Sequence, residues 1–261
     1  EIMPSLVGSE MCIRDRHDGG AEPARQAPTR RGQRHALPII RPSKTEGPRR
    51  QTAARQPLLI HDDKKGLAMG YLVLGLALFL GVHSVRIVAD GWRTQTRARL
   101  GEMPWKGLYS LVSAVGLAFI VWGYGLARQQ PVVLWVPPIG MRHAAALLTL
   151  IAFVLLAATY VPRNALKARL HHPMVLGVKV WALAHLLSNG NLADVLLFGS
   201  FLLWAVLSFR AARQRDRAQG TVYAAGSAAG TAAAVVVGAV AWAGFAFWGH
   251  AWLIGVAPLG R

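Results

Sequence analysis

His83, His185 and His250 each sit inside a long apolar run, where a neutral imidazole is a good nitrogen ligand for iron or another metal. The stretch from His171 to Asn191, HHPMVLGVKVWALAHLLSNGN, is the richest in such chemistry. An ionisable group in hydrocarbon is costly, so it faces a bundle interior and either serves a site or hydrogen-bonds a neighbouring helix. Pro173 occupies a natural first-turn position, and Gly177, Trp181 and His185 follow at a spacing of four. They read as one stripe: a gap, an aromatic wall and a ligand. His171 and His172 lie ~20 Å of helical rise from His185, so they cannot clamp one metal together with it. Any metal must be shared with another helix.

The elements that position these residues follow from composition. With 53% hydrophobic and 16% charged residues in 261, the chain is too apolar for an ordinary soluble domain. Tyr71–Val88, Gly107–Ala127, Met141–Tyr160, Pro173–Leu187, Leu192–Phe209 and Ala232–Val256 are each long enough, or nearly so, to cross a hydrocarbon core of ~30 Å. The fourth is the shortest. The expected fold is all-α, a polytopic membrane bundle of about six transmembrane helices.

A net charge of +17 could suggest nucleic acid, but its distribution points to topology. The first, third and fifth connections hold eleven Lys/Arg, from Arg93 to Arg217, whereas the second, the fourth and the C-terminus hold three: Arg128, Arg142 and Arg261. Basic loops stay cytoplasmic, so both ends of the bundle are expected outside, on the periplasmic side of a bacterial inner membrane. Membrane lipids, including anionic headgroups, are the expected partners of these loops; nucleic acid is not, for want of a stacking platform.

His83 lies in FLGVHSVRIV, with Phe79 and Ile87 one turn to either side. Gly81 could admit a neighbouring helix or a flat cofactor, and Arg86 could hold an anionic group such as a propionate or simply anchor the helix by snorkelling. Depth counting places His83 about four residues to the cytoplasmic side of its midpoint and His185 about four to the outer side, ~12 Å apart in rise. By that count His185 matches His250, and His83 is nearer His172. No phosphate loop, nucleophile elbow, metalloprotease helix or paired-cysteine metal site is present in the sequence.

Residues 6–16, LVGSEMCIRDR, resemble an in-frame translation of a sequencing-library adapter, which would make Cys12, the single cysteine, uninformative. Residues 1–16 are therefore expected to be an adapter artefact. Residues 17–68 have no Phe, Trp or Tyr and six prolines, and are expected to be a non-native or disordered extension. Met69 opens the first apolar run, so 69–261 is the expected membrane domain.

HSVRIV, LYSLVSAVGLAFIVWGYGLAR and HHPMVLGVKVWALAHLLSNG, in this order, resemble the NnrU family. The resemblance covers 69–261. It implies a bacterial integral membrane protein associated with denitrification and nitric oxide metabolism. The family is similar to zeta-carotene isomerase, a membrane enzyme carrying haem b. The isomerase's His-Ser motif is matched by His83-Ser84, and its Trp-X-X-Ala-His motif by Trp181 to His185. His172-Pro173, Gly177 and Gly190-Asn191 match as well. The resemblance thus implies haem b on His83 and His185, with Arg86, Gly177 and Trp181 around it; His250 and His172 are the alternative metal ligands. One departure is Ala182, where the isomerase has a cysteine implicated in redox-dependent ligand exchange.

Two classes of function follow. The first is a haem b protein acting as a redox-responsive or isomerase-like factor, on a hydrophobic small molecule in the latter case. The second is a cofactor-free accessory or assembly factor that partners denitrification membrane proteins. Catalytic residues are not assignable, and a small transporter is the weakest class, since no matched pair of interrupted helices marks a midplane site.

Overall fold

The computed structural model describes residues 58–259, with side chains described from residue 66 onward. The elements are α1 (Leu58–Val88), α2 (Asp90–Leu100), α3 (Glu102–Ala127), α4 (Gly140–Tyr160), α5 (Ala165–Leu170), α6 (Pro173–Ser188), α7 (Leu192–Gln219), α8 (Ala228–Gly244), a π-helical turn (Phe245–Gly249) and α9 (His250–Ile254). The fold is all-α, a polytopic membrane bundle. Five helical stretches are long and apolar enough to cross a membrane, and α6 is a shorter apolar helix of 16 residues.

Local chemistry sets the boundaries. Gly101 has φ +87°, a backbone that L side chains rarely adopt, and it turns the amphipathic α2 into α3. Asn164 caps α5 by accepting from the Lys167 amide, and Ser227 caps α8 through the Gly230 amide. Pro173 opens α6 as expected, and Asn191 with Asp194 forms a capping box on α7. Gly220, at φ +60°, closes α7.

α1 starts eleven residues before Met69, because LLIHDDKKGLA holds no proline and runs directly into the apolar span. Ala68 is buried within the bundle. The expectation for residues 1–16, and that for 17–68 as far as residue 57, lie outside the described residues.

The spans pack in the order α3, α1, α7, α6, α4, α8. The row curves enough for the Arg128 guanidinium, just beyond α3, to donate to the Ile254 carbonyl at 2.8 Å. Small residues make the closest contacts, as expected where lipid tails remove any hydrophobic drive between helices. A Cβ built on Gly75 would stand 2.5 Å from the Ile120 nitrogen, one on Gly116 2.7 Å from the Phe79 nitrogen, and one on Gly123 would run into the backbone of Leu72. Gly238 brings α8 onto Val154 of α4 in the same way. Large apolar side chains such as Leu111, Val121, Val236 and Val240 point outward instead, where lipid would cover them.

The connections α1–α3, α4–α6 and α7–α8 gather at one end, called here the basic end. There the Ser227 amide donates to the Arg163 carbonyl, and Arg215 donates to the Arg86 carbonyl. At the opposite end the loop after α3 lies on the α6–α7 turn, with the Leu134 amide donating to the Gly190 carbonyl at 2.8 Å.

Candidate functional site

His83 on α1 and His185 on α6 share one local arrangement. In each, Nδ1 contacts the carbonyl four residues earlier: Phe79 at 2.6 Å and Trp181 at 2.9 Å. A carbonyl oxygen only accepts, so Nδ1 carries the proton in the neutral ring and Nε2 keeps its lone pair. Each ring is therefore oriented by its own helix and presents a nitrogen able to ligate. Such a bond to the non-ligating nitrogen is the usual way a ligand histidine is held.

Between them runs a column of aromatic rings. Phe79 stacks on His83 with centroids 4.3 Å apart; Phe201 follows at 5.8 Å from Phe79, and Trp181 at 5.6 Å from Phe201. Trp181 then meets His185 at 5.1 Å, and Phe198 stacks on the same imidazole at 4.5 Å. Pairs of this kind contribute roughly 0.5–1.5 kcal/mol each beyond burial. α7 supplies Phe198 and Phe201 and stands between α1 and α6, which do not pack directly on each other among the described residues. Among the described residues the two imidazoles therefore make no contact with each other, and α7 rings link them.

The remaining candidates fall elsewhere. Trp181 stands beside His185, as the spacing of four places it, and forms an aromatic wall with Phe198. Gly177 is not on that wall: it faces α4, where a Cβ would stand 3.1 Å from the Ala152 carbonyl. The reason is rotational, since a spacing of four overshoots a turn by ~40°, so Gly177 and His185 are ~80° apart around the helix. Gly81 faces open space. His250 lies at the far end of the last span, its Nδ1 donating to the Val256 carbonyl at 2.7 Å. It and Asp194 are electrostatic neighbours of His185.

His172 belongs to the basic end. Its Nε2 lies 2.8 Å from Asp216 Oδ2, which also accepts from the Tyr223 hydroxyl at 3.2 Å and from Arg213 at 3.4 Å. His171 Nδ1 stands 3.8 Å from the same carboxylate. Burial pushes the Tyr223 phenol above its ordinary pKa, and the hydrogen bond to Asp216 adds to the shift. A cavity of about 610 Å³ opens here between α1, α2, α3, α6 and α7, and both His83 and His172 line it. Arg86 lines it too, with its guanidinium 4.0 Å from Asp90. No cluster of three or more metal-capable side chains occurs among the described residues.

The family model described as NnrU protein matches residues 71–258. The chain belongs to the NnrU family. No curated protein matches it, and no solved structure does. Every residue of the two clusters lies inside the NnrU match, which runs from within α1 to just beyond α9.

Two residues of this NnrU bundle carry more than their sequence context announces. Asp194 is 3% exposed, yet it accepts from the Tyr124 hydroxyl at 2.6 Å and from both the backbone and side-chain nitrogens of Asn191 at 3.2 and 2.8 Å. An acidic residue three places after an asparagine at the head of an apolar run is the signal for this box. Asp216 is hidden among arginines, and in the sequence it reads only as part of a charged loop.

Proposed function

We propose that this NnrU family protein binds haem b through His83 and His185 and serves nitrogen-oxide metabolism as a redox-responsive or isomerase-like factor. The matched anchoring of the two imidazoles carries the reading: both are fixed as Nδ1–H tautomers, on helices that α7 holds apart. The donor chemistry fits a bis-histidine haem. The association with denitrification rests on the resemblance to NnrU proteins. When bound, the group supplies reversible one-electron chemistry. His83 and His185 would hold it, Trp181 would wall it, and Arg86, on the His83 side, is the nearest candidate for a propionate. Binding requires Phe79 and Phe201 to turn out of the column they now fill, with Trp181 remaining beside His185 as the wall. Ala182 has no thiol, so ligand exchange at that position is not available.

The closed column also supports a second reading, a cofactor-free accessory factor for denitrification membrane proteins whose histidines hold helices together. Absorption spectra separate the two. Full-length protein purified in detergent from cells fed haem precursor is expected to give a six-coordinate low-spin b-type spectrum. His83→Ala and His185→Ala, each still monodisperse, are expected to lose it, and His250→Ala to keep it. Colourless, folded wild-type protein after full haem loading would leave the accessory reading standing. Loss in His250→Ala with retention in His83→Ala would move the site to the pair His185 and His250.

We place the bundle in a bacterial inner membrane with both ends periplasmic, since the basic connections share one end. A periplasm-dependent reporter is expected to be inactive when fused after Arg215 and active after Arg261. The reverse pattern would invert the orientation.

A further inference from the structure

The cavity at the basic end has a charge imbalance. Arg86, Arg93, Arg97, Lys106 and Arg215 line it, against two carboxylates, Glu102 and Asp216. Both carboxylates are engaged: Glu102 by Lys106 at 2.7 Å and Arg97 at 3.1 Å, and Asp216 by His172, Tyr223 and Arg213. Among the described residues Arg86 and Arg93 share Asp90 as their carboxylate partner, at 4.0 and 3.8 Å. Arg215 is an electrostatic neighbour of both, and of Asp90 and Asp216, but among the described residues no carboxylate lies within ion-pair distance of it, and its guanidinium donates to the Arg86 carbonyl at 3.2 Å. Three guanidinium groups held together with too little countercharge repel unless an anion joins them.

The lining changes character with depth. Below the arginines come His83, Tyr109 and Trp204, with the hydroxyls of Ser110 and Ser208. The Trp204 indole N–H is buried without an acceptor. His83, three residues before Arg86 on α1, meets Trp204 with ring centroids 6.1 Å apart, so the indole lies about one helical turn below the Arg86 level. A ligand filling this space needs an anionic head, an acceptor oxygen below it and an apolar body. Those are the parts of a phosphate-headed lipid with ester carbonyls beneath its head.

We propose that this cavity is a discrete binding site for an anionic glycerophospholipid, its phosphate between Arg86, Arg93 and Arg215 and its ester region at the depth of Trp204. The cavity shares His83 and Arg86 with the haem reading, so the two are measured separately, lipid by retained mass on haem-free protein and haem by absorbance. Full-length, haem-free protein is exchanged in neutral detergent against phosphatidylglycerol or phosphatidylcholine and weighed by native mass spectrometry. One phosphatidylglycerol is expected to be retained in preference to phosphatidylcholine, with the preference falling about fivefold for each arginine removed in Arg86→Gln and Arg215→Gln. Trp204→Phe is expected to weaken retention of both lipids. Arg86→Lys and Arg215→Lys are expected to keep the preference, which guards against misfolding as the cause of its loss. Arg99→Gln, at an exposed position outside the cavity, is expected to change nothing. Equal retention of the two lipids would overturn the proposal, as would an equal loss in Arg99→Gln. So would displacement of the lipid by equimolar inorganic phosphate, which would make this a site for the free anion.

Discussion

Gly123→Leu is expected to cost about 3 kcal/mol or more, lowering the thermal midpoint of the detergent-solubilised protein by roughly 6–12 °C. The cost follows from where the side chain must go. Gly123 is buried on α3 where the backbone of Leu72 crosses it, and Leu72 is itself fully enclosed. Backbone cannot turn aside as a flexible side chain can, so α1 and α3 must separate. Gly116 and Gly75 share that seam, so the separation would be felt along its length. Gly125, two residues on, supplies the control: it is exposed, and a Cβ there meets nothing within 4 Å. Gly125→Leu is expected to leave the midpoint within about 1 °C, because it only adds apolar surface toward lipid. Equal shifts in the two variants would show that helix propensity, not close approach, sets the effect.

The spans were legible because hydropathy alone fixes where a chain can cross a membrane, and the pattern needs no knowledge of partners. What lies between them was less so. α2 and α5 sit in basic connections whose charges read as topology signals, and their helicity depends on local caps such as Asn164 and the turn at Gly101. The π-helical turn before His250 depends on Phe245, whose ring lies against Gly249 with no Cβ to block it. No periodicity announces that.

The candidate site divides along the same line. His83 and His185 stand out because an ionisable residue inside an apolar run is rare on energetic grounds, and in the structure a chain of ring contacts through Phe79, Phe201 and Trp181 runs from one to the other. The stripe of Gly177, Trp181 and His185 failed at its first member because a spacing of four drifts around the helix. Gly177 therefore ended on α4 while Trp181 stayed beside His185. The depth argument brought His83 near His172, and both now line the cavity at the basic end. Three-dimensional neighbours such as Phe201, which completes the column from α7, carry no mark in sequence.

Asp194→Ala is expected to cost about 2–4 kcal/mol, the second large effect, because it strips the acceptor from three donors at once. The carboxylate holds the Tyr124 hydroxyl on α3, the Asn191 side chain and the first turn of α7, all from a position 3% exposed. Tyr124→Phe removes one of those donors and leaves the carboxylate its Asn191 partners, so it is expected to cost about 1–2 kcal/mol. In the double variant the orphaned hydroxyl is gone, and the combined cost is expected to fall short of additivity by about 1–2 kcal/mol. The loss should reach the candidate site. Phe198, one turn along α7 from Asp194, stacks on His185 and also packs against Trp181 and Tyr124. Loosening the start of α7 therefore releases the ring that fixes the His185 face. Chemical-denaturation midpoints of the four proteins in detergent measure the cycle. Strict additivity would mean that Tyr124 and Asp194 act separately, and that the contact between α3 and α7 does not hold His185 in place.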